Sequence, residues 1–290
     1  MHIVSAGVLL ASAVLFGGIP DARALVEEQV LKVPVRIGNG ASETRPGAVL
    51  IVREVGAGRH PFIVLQHGRP PDPDGRKRLG LQSYPANSRY FASLGFVVLI
   101  PTRTGYGVTG GPDIEYTGEC DNKQYAPGIA AGVAQTRDVV AFAASLPYVD
   151  SNRGLVVGES FGGLIAVAAV SSNIPGIRGA VNIEGGDGGD VVLRPDHPCQ
   201  PDRLREVLAS FATHARSPSL WMYSANDRLW GPDYPKSWFA AYRAAGGRAQ
   251  FVPLPADKNN GHYVFNRNPP AWRPAFTQFL SRIGLDPRRD

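Results

Sequence analysis

One serine occupies a sequence pattern that is typical of a catalytic nucleophile. The motif GESFG begins at Gly158, has Ser160 at its centre, and lies between an apolar run that ends at Val157 and an apolar stretch of helical length. On a tight turn from a strand into a helix, side chains two positions before and after the serine would collide with the neighbouring backbone, so glycine is needed at both. Such a turn exposes the serine hydroxyl at a helix N-terminus, whose dipole favours developing negative charge. We therefore expect Ser160 to be a nucleophile; the alternative is an ordinary strand-to-helix turn.

A serine nucleophile needs a histidine to accept its proton and an acid to orient that histidine. Asp227 comes just after the apolar run 220–223, and His262 comes after the run 250–252 and before the last helical stretch. The order serine, acid, histidine is the order found when such a triad is built on a sheet of alternating strands and helices. Both side chains would lie on loops at the carboxyl ends of strands, where α/β sheets place their sites. Ser160, Asp227 and His262 are the predicted catalytic residues.

Other residues could supply the base or the acid. Asp227 by itself could be a turn or capping residue, and His262 could be an ordinary histidine of a surface loop. The alternative base is His197, because its loop could fold over the site. The alternative acids follow the apolar run 180–183 and are Glu184, Asp187 and Asp190.

An oxyanion hole requires two backbone N–H groups. Phe161, the residue after the predicted nucleophile, is the first expected donor. The second should come from the loop QHGRP, which follows an apolar run. In that loop Gly68 allows close approach and Pro70 has no N–H, so we expect Arg69 to donate. His67 is expected to orient the loop rather than to act as a base.

These residues must be positioned by alternating strands and helices. Eight apolar runs are predicted to be strands, at residues 30–37, 47–54, 62–66, 96–100, 155–157, 180–183, 220–223 and 250–252. Six stretches have helical patterns, at residues 88–94, 130–146, 161–172, 203–215, 235–245 and 271–283. The first two strands flank the turn sequence Asn39-Gly40 and predict an antiparallel pair. The later runs are apolar throughout, as in parallel strands covered on both faces. The pattern therefore predicts an α/β fold with a mostly parallel, eight-stranded sheet and helices on both faces.

Two long loops interrupt the alternation, and each contains one of the two cysteines. Residues 105–128 and 185–201 are rich in Gly, Asp and Pro and hold Cys120 and Cys199. Loops of this length in a compact domain are usually functional, so we expect both to lie over the site. In an exported protein the two cysteines are expected to form a disulfide. The alternatives are two free buried thiols or a metal site near His197, whose ligand set is incomplete, so no metal is predicted.

Residues 1–24 are predicted to be a secretory signal peptide. An uncharged apolar run covers residues 3–19, Pro20 follows, and Ala22-Arg23-Ala24 supplies the small residues of a cleavage site. Cleavage after Ala24 would leave residues 25–290 as a single catalytic domain, secreted or periplasmic. The alternative is an uncleaved membrane anchor, since a run of this length is at the short limit for crossing a bilayer.

The amino-acid composition excludes several other classes of protein. The 290 residues contain 30 Lys and Arg against 25 Asp and Glu, a net charge of +5, with 43% hydrophobic and 19% charged residues. This composition is too apolar for a disordered chain, and 34 Gly and 25 Pro without a fixed period exclude a collagen. Apart from Arg288-Arg289 near the end, the one tight basic cluster is Arg76-Lys77-Arg78. We expect this cluster to be a solvated loop, so no nucleic-acid partner is predicted.

With these motifs in order, the chain resembles the α/β-hydrolase superfamily over all of residues 25–290. The resemblance rests on the loop QHGRP, GESFGG around Ser160, SANDR around Asp227 and NNGHYVF around His262. The stretch PTRTGYG at residues 101–107 looks like the R-G-Y-G segment of the dienelactone-hydrolase-like and prolyl-oligopeptidase-like branches, and the compact size favours the former. The namesake dienelactone hydrolases have a cysteine nucleophile, so the serine found here favours a general serine esterase. The resemblance implies an acyl-enzyme mechanism without a metal or a cofactor.

The sequence therefore predicts a secreted serine hydrolase that cleaves small-molecule carboxylic esters. The alternatives are an exported serine peptidase or amidase of the prolyl-oligopeptidase-like type, and a non-catalytic binding protein on the same scaffold. No stable membrane association is expected after signal cleavage. Carboxyl groups of the two cysteine loops could favour a polar or cationic substrate, but we expect them to be solvated. They are Asp113, Glu115, Glu119, Asp121, Asp187, Asp190 and Asp196.

Overall fold

The computed structural model describes residues 25–37 and 43–286. The predicted signal peptide and the predicted Asn39-Gly40 turn lie outside the described residues. The strands are β1 (Val26–Arg36), β2 (Thr44–Glu54), β3 (His60–Gln66), β4 (Val97–Thr102), β5 (Val149–Glu159), β6 (Ile177–Ile183), β7 (Ser219–Ser224) and β8 (Ala249–Leu254). The helices are α1 (Pro73–Arg78), α2 (Pro85–Ser93), α3 (Tyr125–Ser145), α4 (Phe161–Ser171), α5 (Pro201–Ala212), α6 (Tyr234–Ala244), α7 (Val264–Arg267) and α8 (Pro269–Arg282), and a 3₁₀ turn, Gly261–Tyr263, precedes α7.

The eight strands form one open sheet in the order β1-β2-β4-β3-β5-β6-β7-β8. β1 pairs with β2, and β2 with β4, in antiparallel register, while every other neighbouring pair is parallel. The predicted fold class is confirmed, including the antiparallel pair at the start. All six predicted helical stretches are helices, with boundaries that shift by a few residues.

Helices cover both faces of the sheet, which explains why its strands are apolar throughout. On one face Val64 and Val156 pack with α3 and α4, and on the other Ile63 and Leu155 pack with α2 and α8. Each of these side chains is at most 1% exposed. Successive residues of a strand point to opposite faces, so two covered faces require apolar residues at every position.

The structure differs from the sequence-based expectation at the start of β5 and at the basic cluster, among other places. β5 begins at Val149, six positions before the predicted start, because its first half contains polar residues that hide the strand pattern. The cluster Arg76-Lys77-Arg78 ends the short helix α1 and is not wholly a solvated loop. Arg76 is only 7% exposed and forms an ion pair with Asp113, so that expectation is wrong for this residue.

The parallel strands bring their carboxyl ends to one edge of the sheet. The loops that follow β3, β5, β6, β7 and β8 leave from this edge, and they include every residue predicted to do chemistry. This edge is where ligands bind in open α/β sheets. Within residues 25–37 and 43–286, no helix is long and apolar enough to cross a membrane.

Candidate active site

Ser160 lies on the turn between β5 and α4, in a conformation that few side chains adopt. Its φ is 53° and its ψ is −126°, which is strained for a residue other than glycine. A Cβ atom at Gly158 would lie 2.1 Å from the carbonyl oxygen of Gly162, and one at Gly162 would lie 2.4 Å from the carbonyl oxygen of Gln66. Both glycines are therefore required by sterics, as the sequence motif predicts. The turn presents the Ser160 hydroxyl above the sheet edge.

Asp227 and His262 form a buried pair beside this turn. The Nδ1 atom of His262 lies 2.8 Å from Oδ2 of Asp227, and the two residues are 9% and 1% exposed. The other carboxylate oxygen, Oδ1, accepts hydrogen bonds from the backbone N–H groups of Leu229 at 2.7 Å and Trp230 at 3.4 Å. The indole of Trp230 packs edge-on against the imidazole, with ring centroids 5.4 Å apart. The imidazole is thus fixed in orientation from two sides.

The charge of Asp227 is stabilised by its partners. Burial opposes ionisation, but attraction to the His262 imidazole and the hydrogen bonds to the carboxylate outweigh it and lower the pKa of Asp227. An ionised Asp227 accepts a hydrogen bond from Nδ1–H of the imidazole. The opposite ring nitrogen, Nε2, is then free to accept a proton.

Ser160 and His262 line the same cavity, which has a volume of about 690 Å³. Its walls come from residues 66–71, from the two cysteine loops, and from the segments after β7 and β8. We call residues 66–71 the oxyanion loop, after the role predicted for them. Within the described part of the chain, no hydrogen bond of the Ser160 hydroxyl is present. In hydrolytic sites without substrate, catalytic hydrogen bonds are often long and shorten only in the complex.

The oxyanion loop passes directly over the serine. A Cβ atom at Gly68 would lie 3.3 Å from Cβ and 3.8 Å from Oγ of Ser160, so a larger residue would crowd the nucleophile. His67 accepts a hydrogen bond at Nε2 from the backbone N–H of Arg103 at 3.1 Å and its Nδ1 lies 2.7 Å from the Gly68 carbonyl oxygen. Burial and the neighbouring Arg103 guanidinium hold the pKa of His67 well below its usual range. His67 is therefore neutral and orients the loop, as expected.

A buried ion network supports the oxyanion loop from behind. Arg103 and Glu115 are fully buried and paired at 2.6 Å, and Arg103 also donates to the His67 carbonyl at 2.8 Å. The hydroxyl of Tyr106 donates to Glu115 at 2.6 Å and accepts from Arg69 at 2.9 Å. This arrangement shows that the expectation of a solvated carboxylate is wrong for Glu115.

Arg69 reaches the same network from the cavity side. Its guanidinium forms two hydrogen bonds of 2.7 Å each with the carboxylate of Asp113, which also pairs with Arg76 at 3.0 Å. The Arg69 side chain is therefore held in an ion pair at the cavity wall. The role of its backbone N–H as an oxyanion-hole donor stays a prediction. Asp113 is paired rather than freely solvated. Asp187 likewise departs from that expectation, since it accepts a hydrogen bond from Thr117 at 2.5 Å.

Two further carboxyl groups next to the site carry shifted pKa values. Glu159 precedes the serine, lines the cavity, and accepts hydrogen bonds from the Tyr84 hydroxyl at 2.7 Å and from Asn266 at 3.2 Å. Burial raises the pKa of Glu159. Glu184, named above as an alternative acid, is fully buried behind Asp227, and burial together with that carboxylate raises the pKa of Glu184 well above its usual range. The sequence signal for Glu159 was its place in the serine motif, which by itself does not indicate burial.

The two cysteine loops meet at the cavity. Cys120 and Cys199 form a disulfide, and both residues line the cavity wall. His197, the alternative base, is exposed and is not among the residues that line this cavity. Among the described residues, no group of three or more His, Cys, Asp or Glu side chains could hold a metal ion.

The comparisons with known proteins agree with this architecture. The model of the alpha/beta hydrolase family matches residues 62–287. A putative dienelactone hydrolase from Klebsiella pneumoniae subsp. pneumoniae MGH 78578 has a similar structure, with a TM-score of 0.61 and 18% identity over 90% of this chain and 99% of its own. None of the curated proteins compared with the chain matches it significantly.

Two other solved structures have the same fold and different named activities. An acetyl xylan esterase from Paenibacillus sp. R4 matches with a TM-score of 0.59 and 16% identity over 91% of this chain and 85% of its own. An acylaminoacyl peptidase from Pyrococcus horikoshii matches with a TM-score of 0.62 and 14% identity over 92% of this chain but only 43% of its own. At these identities the likeness concerns the fold.

Proposed function

Because the chain belongs to the alpha/beta hydrolase family, we propose that it is a serine hydrolase that cleaves carboxylic esters through an acyl-enzyme on Ser160. The observation that carries the proposal is the buried Asp227–His262 pair, 2.8 Å apart, whose imidazole lines the same cavity as the strained Ser160. A buried carboxylate that orients an imidazole toward a serine is the arrangement that activates a hydroxyl for acyl transfer.

The proposed reaction has two halves with the same groups. Ser160 Oγ attacks the ester carbonyl carbon while Nε2 of His262 accepts the hydroxyl proton, and Asp227 stabilises the imidazolium that forms. The negative oxygen of the tetrahedral intermediate accepts hydrogen bonds from the backbone N–H groups of Phe161 and Arg69. His262 then gives its proton to the leaving alcohol. In the second half it takes a proton from water, which attacks the acyl-enzyme, and it returns that proton to Ser160 Oγ as the acid is released, so no cofactor is needed.

Esters are proposed rather than amides, with a small-molecule ester as the partner. The compact chain corresponds to nearly the whole length of the similar dienelactone hydrolase and acetyl xylan esterase structures, but to less than half of the acylaminoacyl peptidase. A peptidase is the alternative, and a panel of aminoacyl amides and matched esters separates the two. Turnover of the amides at rates equal to the esters would favour the peptidase.

The test of the proposal is the variant Ser160→Ala with p-nitrophenyl butyrate. We expect at least about a 10⁴-fold loss of kcat with an unchanged circular dichroism spectrum, because a serine nucleophile has no substitute in the mechanism. Ser210→Ala, on the exposed side of α5, is the matched control and should keep full activity. Labelling of wild type, but not of Ser160→Ala, by a fluorophosphonate provides a second readout. An active Ser160→Ala protein would overturn the proposal, and an unreactive wild type would favour a binding protein.

We also propose that the protein acts outside the cytoplasm as one domain, residues 25–290, after removal of residues 1–24. The Cys120–Cys199 disulfide supports this location, since such bonds persist in oxidising compartments. The mass of the exported protein tests it, and a chain that begins at Leu25 is expected. A protein that retains residues 1–24 in the membrane fraction would contradict the cleavage.

A further inference from the structure

Exposed apolar side chains concentrate around the mouth of the cavity. In the described part of the chain, ten large hydrophobic residues are exposed, and five of them lie on segments that form the cavity mouth. Tyr116 and Tyr263 line the cavity themselves, and residues 191–193 lie between Asp190 and Arg194, which both line it. We call this set the apolar rim, and it consists of Tyr116, Val191, Val192, Leu193 and Tyr263.

The apolar tip of the rim is held in its exposed position by its own turn. The carboxylate of Asp190 accepts hydrogen bonds of 2.9 Å from the backbone N–H groups of Val192 and Leu193. The backbone N–H of Arg194 donates to the Asp190 carbonyl at 3.1 Å and closes the turn. Val192 is 82% exposed and Leu193 is 74% exposed. The backbone polar groups are thus satisfied locally, while two adjacent large apolar side chains face solvent. Contiguous exposed apolar patches, unlike single exposed residues, mark interaction sites.

The two tyrosines of the rim are aromatic rings with polar ends. The Tyr116 hydroxyl donates to Glu119 at 2.5 Å, and the guanidinium of Arg267 lies 4.3 Å above the ring of Tyr263. Tyrosine rings of this kind favour the boundary between water and an apolar phase, because one end is apolar and the other is hydrated. The rim therefore combines exposed aliphatic side chains with aromatic rings that favour an interface.

We propose that the apolar rim binds the surface of an aggregated, water-insoluble ester, so that the substrate class of this site is esters presented in droplets or micelles. This inference rests on the proposed function. The rim residues line the cavity that contains Ser160 or adjoin residues that line it, so an occupant that covers them must also deliver a reactive group into the cavity. An aggregate of the substrate does both, whereas a protein partner or a second copy would close the opening.

The experiment measures hydrolysis of tributyrin below and above its solubility limit. Wild type should show a rise in rate when droplets form. The variant Val192→Ser/Leu193→Ser should lose at least about tenfold in rate on the emulsion, since each side chain contributes roughly a factor of ten when it leaves water. Its kcat/KM on dissolved p-nitrophenyl acetate should stay at the wild-type value.

A matched control removes two exposed apolar side chains at the opposite edge of the sheet. Val26 and Val55 are 38% and 46% exposed. Val26 is the first residue of β1 and Val55 follows the last residue of β2, so both lie at the end of the sheet where β4 begins. The variant Val26→Ser/Val55→Ser should behave as wild type on both substrates.

Several results would overturn the proposal. They are a wild type without a rate increase on droplets, a tip variant that keeps the wild-type rate on the emulsion, or a tip variant that loses equally on both substrates. A wild-type dimer that the tip substitutions convert to monomer would make the rim a self-interface. Flotation of Ser160→Ala with the droplets measures binding without turnover. The proposal for the rim can therefore be overturned while Ser160 remains the nucleophile, and the proposal for Ser160 can be overturned while the rim still binds droplets.

Discussion

Asp227 and Glu184 are buried side by side, but their surroundings shift their pKa values in opposite directions. Asp227 has the His262 imidazole and two backbone N–H groups as partners, and these lower its pKa in spite of burial. Glu184 accepts a hydrogen bond at Oε1 from the backbone N–H of Ser224 at 2.5 Å, and its buried Oε2 atom has no hydrogen-bond partner among the described residues. A proton on Oε2 would allow Glu184 to donate to the neighbouring Asp227 carboxylate, which removes both the buried charge and the unpaired oxygen.

The raised pKa of Glu184 predicts how the stability of the variant Glu184→Gln, relative to wild type, changes with pH. The folded protein keeps a proton on Glu184 that the unfolded chain releases above a pKa of about 4.3. The contribution of Glu184 to stability is therefore complete below that pH and is lost as pH rises toward the raised folded pKa, by up to about 1.4 kcal/mol per pH unit. Glutamine does not titrate and can still donate to Asp227. We expect the Tm of Glu184→Gln relative to wild type to increase between pH 5 and pH 8, with esterase activity retained.

Thermal unfolding followed by circular dichroism at several pH values provides the measurement. Glu206→Gln, at an exposed position of α5, is the matched control and should leave the pH dependence of Tm as it is in wild type. A Tm difference between Glu184→Gln and wild type that is constant with pH would show that Glu184 is ionised in the folded state.

At the scale of elements, the cavity wall depends on two loops that are tied together across the chain. Cys120 and Cys199 are separated by 79 positions and bring the two loops into contact. The hydroxyl of Tyr125 donates to the Cys199 carbonyl, and the backbone N–H of Cys199 donates to the Gly188 carbonyl at 2.9 Å. The disulfide thus joins the two loops at the cavity wall, and the Tyr125 hydrogen bond fixes Cys199 to the start of α3.

We expect the variant Cys120→Ser/Cys199→Ser to be less stable than wild type by about 4 kcal/mol, because the unfolded chain regains the entropy of a long closed loop. For a domain of this size that corresponds to a fall in Tm of about 10 °C. The KM for esters should also rise, since both cysteines line the cavity. Calorimetry with and without reductant tests this, because reductant should lower the Tm of wild type and leave the variant unchanged. A variant with the wild-type Tm would contradict the role of the disulfide.

Features that depend on the residues of one short segment, such as the strands and the turn at Ser160, could be predicted from the sequence. Features that depend on contacts between segments distant in the chain could not. Solid apolar runs identify strands because both faces of the sheet are covered, and the two glycines around Ser160 are required by backbone contacts within the turn. Arg103 and Glu115 lie in segments rich in glycine and polar residues, where charged side chains are usually solvated. Their burial depends on an ion pair with each other and on contacts with the oxyanion loop. No periodicity in the sequence carries that information.

At the scale of the whole molecule, the two faces of the sheet share the same strands. The core on one face contains Trp221, Trp230 and Trp238, and the core on the other contains Trp272. β5 contributes Val156 to the first core and Leu155 to the second. Because the same strands form part of both cores, loss of packing on one face would also destabilise the other. The proposed active site depends on this arrangement, because Ser160, Asp227 and His262 follow three different strands of the one sheet.

We therefore expect the chain of residues 25–290 to unfold in one cooperative transition. Tryptophan fluorescence reports both faces of the sheet, and far-ultraviolet circular dichroism reports the helices and strands, so their urea curves should coincide. In the variant Trp272→Phe, fluorescence reports only the face that contains Trp221, Trp230 and Trp238. Its urea midpoint by fluorescence should still equal its midpoint by circular dichroism, because both faces unfold together. The Asp227–His262 pair should be lost in the same step, with esterase activity following the same curve. Two separated transitions, one for each face, would contradict a single domain and would require the predicted triad to span two independently folding units.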